Sequence, residues 1–129
     1  MREIPFHTRD PVFEQVIHYF KVRIANGELQ PGEEMPSRRE LAKVFDINPN
    51  TVQRAYKEME KEQLIYTESN FPSKITTDQQ LLKNVREELI HQAVQAFVES
   101  MQMIHVPVDE ACIRIKDYLE QEGRCKRND

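Results

Sequence analysis

Tryptophan is absent from this 129-residue sequence, glycine occurs three times and cysteine twice. No Gly-rich loop of the kind that cradles phosphates appears, and no nucleophile–base pair or metal motif, so an enzyme is set aside. Cys112 and Cys125 have no paired metal-ligand spacing. Cys112 falls on an apolar helical face, where a small core residue is expected rather than a reactive thiol. No apolar run is long enough to cross a bilayer. The opening MREIPFHTRD lacks the apolar core of a signal peptide, so a cytoplasmic location is expected. Surplus positive charge is lacking too: 18 Lys and Arg face 22 Asp and Glu, a net charge of −4. Residues 1–77 hold 11 basic and 12 acidic side chains, and residues 78–129 hold 7 and 10. That balance argues against a general nucleic-acid coat, but not against a protein whose cations cluster on one face. His7 and His18 stand alone and read as surface or satisfied residues. His91 and His105 with Glu87, Glu88 or Asp109 form no strong ligand motif, so neither a metal nor a cofactor is expected.

What is present is helical periodicity. Hydrophobic residues make up 39% and charged residues 31%, a globular balance with many exposed helix faces. Residues 1–9 read as a short polar arm. Asp10-Pro11 reads as a helix start, an Asp cap before a first-position proline. Val12, Phe13, Val16, Ile17, Phe20 and Ile24 recur at three and four, and Gly27 suits a left-handed stop. A turn at Gln30-Pro31-Gly32 and a short extended segment at Glu34-Met35 lead to the central stretch, PSRRELAKVFDINPNTVQRAYKEMEK.

That stretch reads as two short helices around a tight turn, Asp46-Ile47-Asn48. Ser37 and Glu40 form an S-x-x-E capping box, and Leu41, Ala42 and Phe45 make the apolar face. Asn48 caps the second helix, with Pro49 at its first position. Val52, Ala55, Tyr56 and Met59 form its buried stripe, leaving Asn50, Thr51, Gln53, Arg54 and Lys57 outward. Amides, a hydroxyl and long cations near a helix start are what base edges and phosphates require. By spacing alone, an ordinary helical hairpin with a solvated face explains the pattern equally well.

PSRRELA followed by INPNTVQRAY resembles the winged helix-turn-helix signature of the GntR family of bacterial transcription regulators, and NPNTV and RAY are closest to its YtrA-like branch. The resemblance runs from about Pro11 to Ile75. It implies that Arg39 lies where the family's arginine meets DNA, and that Asn48, Asn50, Thr51 and Gln53 occupy DNA-contact positions. Arg38 is a nearby phosphate candidate. Arg54 and Lys57 are added from helix geometry alone. Leu64–Thr67 and Lys74–Thr76 flank a turn-rich centre and read as a hairpin, the family's wing, with Lys74 in reach of a phosphate. Asn70, Pro72 and, just after the second helix, Gln63 stand where the family usually has glycine. Those departures put the wing's contact with DNA in question.

From a Thr77-Asp78 cap to about Ile104 there is neither Gly nor Pro, and the apolar stripe describes one long helix. Val106-Pro107 breaks it. Asp109 is expected to cap a last helix with Ala111, Cys112, Ile115, Tyr118 and Leu119 on one face; Gly123 is expected to end it, leaving Arg124 to Asp129 as a polar tail. Two helices bury too little surface alone. Their faces pack either on the first domain or on a second subunit, and the resemblance favours the second.

The expected fold is mostly α with a small β-hairpin: an N-terminal winged helix-turn-helix (1–77) plus a C-terminal two-helix dimerisation region (78–129). The expected function is a sequence-specific DNA-binding regulator, a homodimer through residues 78–122 that represses a transporter operon from a palindromic operator. A pocket at the dimer junction is left open to a small-molecule effector. The competing reading is a winged-helix interaction module that has lost operator binding, motivated by the altered wing and the acidic charge.

Overall fold

The computed structural model describes residues 5–128, with side chains through Gly123. The first four residues of the expected arm and the side chain of Cys125 lie outside the described residues. Seven elements follow in order: α1 (Val12–Ala25), α2 (Arg38–Phe45), α3 (Pro49–Lys61), β1 (Ile65–Tyr66), β2 (Lys74–Ile75), α4 (Gln79–Met103) and α5 (Val108–Asn128). This is the expected mostly helical chain with one antiparallel hairpin. It forms two compact units, Met1–Leu89 and Ile90–Asp129.

The first unit is built around one apolar core. Val16, Ile17, Phe20 and Ile24 of α1 meet Leu41, Ala42 and Phe45 of α2 and Val52, Ala55, Tyr56 and Met59 of α3. The helical spacing had marked all eleven. Tyr19 joins them, edge-on to Phe45 at 5.1 Å, with the Arg23 guanidinium stacked 3.5 Å over its ring face. Phe6 of the arm also packs edge-on against Phe45, at 6.0 Å.

Local chemistry sets the helix ends. Pro11, not Asp10, is the residue before α1, and no side chain caps it. The Pro11 carbonyl accepts from Glu14 N–H and Gln15 N–H, while the Asp10 carboxylate lies 3.5 Å from His7 Nε2. The expected Asp cap is therefore corrected: the Asp10 carboxylate lies beside His7 and caps no backbone N–H of α1. Ser37 and Asn48 cap as expected. Ser37 Oγ accepts from Glu40 N–H, and the Glu40 carboxylate takes the Ser37 hydroxyl in return. Asn48 Oδ1 accepts from Asn50 N–H at 2.8 Å, with Pro49 at the first helical position. Asp46 closes α2 in the left-handed conformation, φ 52°.

The hairpin is short. Ile65 pairs with Ile75 and Tyr66 with Lys74. Glu34 adds one antiparallel bridge to Lys74, and Met35 N–H donates to Ser73 O at 2.7 Å, so the expected Glu34-Met35 strand shrinks to a single bridge. Gln63 (φ 64°) and Asn70 (φ 66°) adopt the left-handed conformation at two of the expected glycine positions. The backbone path keeps its shape at a conformational cost that glycine would not incur.

Asp78 caps α4, its Oδ1 accepting from Gln80 and Leu81 N–H. The first turns of α4 belong to the first unit: Val85 is buried in its core and Leu81, Leu82 and Leu89 pack against it. The change at residue 77 thus marks where a helix begins, while the compact unit continues to Leu89.

The second unit is a helical hairpin. His105 sits at φ 58°, and Val106 N–H donates to Met101 O, which closes α4. Three expectations for α5 are corrected. The helix starts at Val108, which places Asp109 inside its first turn rather than at the cap. It continues through Gly123 to Asn128. A lone glycine costs a helix about 1 kcal/mol but removes no hydrogen bond, so it does not by itself end one. Cys112 is exposed, because Ala111 takes the buried position and successive helical residues lie about 100° apart.

Candidate nucleic-acid interface

Burial of Val52, Ala55, Tyr56 and Met59 fixes the rotation of α3. Residues at i, i+4 and i+7 on the opposite side are then Asn50, Arg54 and Lys57, all exposed. Thr51 and Gln53 are half-buried and edge this face, and Asn48 is exposed at its N-terminal end. Arg39 is exposed near the start of α2. These side chains lie on the two consecutive helices that the tight turn at Asp46 holds together. Lys61 continues the stripe one turn beyond Lys57 and is exposed. The sequence reading missed it, although its spacing from Lys57 and Arg54 was signal enough.

The other candidates are placed differently. Arg54 is exposed, yet its guanidinium lies 3.8 Å over the Phe13 ring of α1, which anchors it toward that helix. Lys74 is half-buried on β2, opposite Tyr66. Arg38 is turned inward. Its Nη2 donates to Glu60 Oε1 at 2.8 Å, its guanidinium faces the Tyr56 ring at 4.7 Å, and its Nε is buried without a hydrogen-bond partner. No local signal could have exposed this pairing, since Arg38 and Glu60 are 22 residues apart.

Near the end of α3, Glu60 is paired with Arg38, and Glu62 with Lys21 at 3.2 Å. Among the described residues, Arg39, Lys43, Lys57 and Lys61 enter none of the ion pairs. Tyr56, beneath Arg38, donates its hydroxyl to Pro36 O at 2.7 Å. Burial pushes its phenol well above the ordinary tyrosine value, with the Arg38 charge opposing.

Two helices joined by a tight turn, a short hairpin after the second helix, and polar and basic side chains on that helix's outward face can engage a nucleic-acid groove. Residues 13–72 match the profile of bacterial regulatory proteins of the gntR family. They form a GntR-family winged helix-turn-helix domain. The chain is similar to the transcriptional repressor YtrA of Bacillus subtilis (strain 168), 43% identical over 67 residues, which is 52% of each chain. It is also similar to the uncharacterized transcriptional regulator YhcF of the same organism, 29% identical over 115 residues, covering 89% of this chain and 95% of that one. The structure of a GntR family transcriptional regulator from Listeria monocytogenes superposes with a TM-score of 0.81 at 28% identity, covering 87% of this chain and 98% of that one. YhcF apart, the chain spans about half or less of the length of the curated relatives it matches.

The second unit carries a different surface. Phe97, Met101, Ile104 and Val106 face Ile115, Tyr118 and Leu119 across an open groove of about 570 Å³, with Glu110 and Arg114 along it. Among the described residues no three His, Cys, Asp or Glu side chains group closely enough to hold a metal, and no helix is long and apolar enough to cross a membrane.

Proposed function

We propose that the protein is a sequence-specific DNA-binding transcriptional regulator that reads an operator through the outward face of α3. The observation that carries this reading is the exposed set Asn50, Arg54 and Lys57 on the second helix of a GntR-family domain, with Arg39 exposed on the first. Asn50 and Gln53 supply amides for base edges, and Asn48 and Thr51 support them at the helix start. Arg39, Arg54, Lys57 and Lys74 supply phosphate and guanine contacts. Arg38 is assigned to support of the domain, because Glu60 already occupies it.

The active form in this proposal is a homodimer. Tyr118 and Leu119 of α5 are 66% and 58% exposed, and Met103 of α4 is 82% exposed. A helical pair with that much apolar surface in water is stabilised by a second copy, which also supplies a second reading head for a two-fold operator. Repression by blocking polymerase is the mode that similarity to YtrA favours, and the resemblance to that branch extends the proposal to a transporter operon. Residues 1–77 would then read DNA, and the region from 78 to 122 would pair the subunits.

The test is binding of the purified protein to labelled DNA from its own upstream region, titrated with salt and challenged with unrelated competitor. A shift that survives competitor, with two protected half-sites about 34 Å apart, supports the proposal. A shift lost to any competitor rejects operator reading in favour of an interaction module on the same fold.

A further inference from the structure

Buried Ile65 and Ile75 and the backbone bonds that join Ser73 and Ile75 to residues 32–35 hold the base of the hairpin, but a ladder of two residue pairs leaves its outer end marginal. The first side chains beyond the ladder are Thr67, just after β1, and Ser73, just before β2. Their hydroxyl oxygens lie 2.6 Å apart across the mouth of the loop, and Ser73 is buried. Thr67 Oγ1 donates to Glu60 Oε1 at 3.1 Å, and the same oxygen accepts from Arg38 Nη2 at 2.8 Å. One carboxylate oxygen on α3 is thus bonded both to the hairpin and to the first residue of α2. Arg38 is itself held over Tyr56, whose hydroxyl donates to Pro36 just before α2.

We propose that Glu60 is the positioning residue that makes the hairpin and the α2–α3 pair one DNA-facing body. Asn70 and Phe71 at the tip take their place relative to α3 from this tie, while Lys74 at the base is also held by its bridge to Glu34 and by the buried Ile75 beside it. Charge assistance makes the bond to Arg38 strong, and the buried, unpartnered Arg38 Nε means that the guanidinium gains little by staying once Glu60 is gone. Arg38 and Glu60 therefore act on DNA through the hairpin and not by touching it. The inference rests on the DNA-reading proposal for its consequence but not for its structural content.

The test compares the full chain with Glu60→Ala, Glu60→Gln and Thr67→Val. Two readouts are used: amide hydrogen exchange of the hairpin in the free protein, and hydroxyl-radical footprinting on the upstream DNA. In Glu60→Ala the hairpin amides are expected to exchange about tenfold faster, a loss the size of one net hydrogen bond. Protection flanking the central half-site contact should fade while the central protection stays. Glu60→Gln keeps a carbonyl oxygen in the same place but loses the charge, and should restore both readouts in part. Thr67→Val removes only the hydroxyl bridge and should move both in the same direction as Glu60→Ala, which covers the case in which the alanine variant folds poorly. Unchanged hairpin exchange in both Glu60→Ala and Thr67→Val overturns the tie. An unchanged footprint beside faster hairpin exchange overturns its role in reading DNA. If even the unaltered protein leaves no footprint, the DNA-reading proposal fails while hairpin exchange still decides the tie.

Discussion

The two compact units handle apolar surface in opposite ways. In the first, α1, α2, α3 and the start of α4 close around one core, and among the described residues only Val44, Tyr66 and Phe71 remain as exposed large hydrophobics. From Ile90 onwards the balance reverses. Val94, Val98, Ile104, Val108, Ile113 and others are open to solvent, and Ala111 is the one buried hydrophobic residue among the described side chains. Both regions carry apolar residues at helical spacing in sequence. The difference is that three helices and a hairpin can surround a centre, whereas two helices can only face each other. A closed core completes its own packing, and an open face invites a second copy.

Core substitution is the strongest way to break this contrast. Phe20→Ala is expected to lower the first unit's stability by about 3–5 kcal/mol, because Phe20 is fully buried. Phe97→Ala, at a half-open position of the second unit, should cost about 1 kcal/mol or less in intramolecular stability. Thermal melts of the two variants test the pair, and equal losses would mean that the second unit is as closed as the first.

Leu119→Glu addresses the open face directly. A charge forced into an apolar subunit contact should raise the dimer dissociation constant by roughly 100-fold while sparing the first unit. Sedimentation velocity across a concentration series reads the effect. No change from the unaltered protein would show that this face does not pair subunits.

On the first unit's surface, Asn50→Ala should cost about 1–3 kcal/mol of operator affinity with little change in melting temperature, as expected for a base-edge contact. Lys57→Ala should weaken binding to all sequences alike and reduce the salt slope by about 1. Competition titrations at several salt concentrations separate the two behaviours.

The smallest effect concerns Tyr56. Its folded phenol holds its proton more tightly than the unfolded one, so its share of stability is fully present below the ordinary tyrosine value of about 10 and declines as the pH rises above it. Tyr56→Phe should remove that alkaline decline. It should also cost about 1 kcal/mol at neutral pH for the hydrogen bond to Pro36. Urea midpoints at pH 8 and pH 11 for both proteins measure it.

Much of the fold was legible because its determinants are local. Ser37, Asn48 and Asp78 act as caps within three residues of the groups they satisfy. The spacing of Leu41, Phe45, Val52 and Tyr56 fixes which sides of α2 and α3 turn inward. The outward face of α3 follows as the complement. The misread positions, Asp10, Asp109, Gly123 and Cys112, are details of where a helix begins or ends and how it is rotated. Arg38 is a different case. Its sequence neighbours say phosphate contact, and only the approach of Glu60 from the far end of α3 makes it internal.

By itself the sequence determined the helices, most of their caps, the inward stripes and the polar outward face of α3, since each depends on residues within one or two turns. Tertiary structure alone decided that Arg38, Glu60, Thr67 and Ser73 form one network, and that α4 lends its first turns to the first core. It also decided that Gln63 and Asn70 bear left-handed backbone where the family usually has glycine. These outcomes depend on how close distant segments come, and no local propensity encodes that distance.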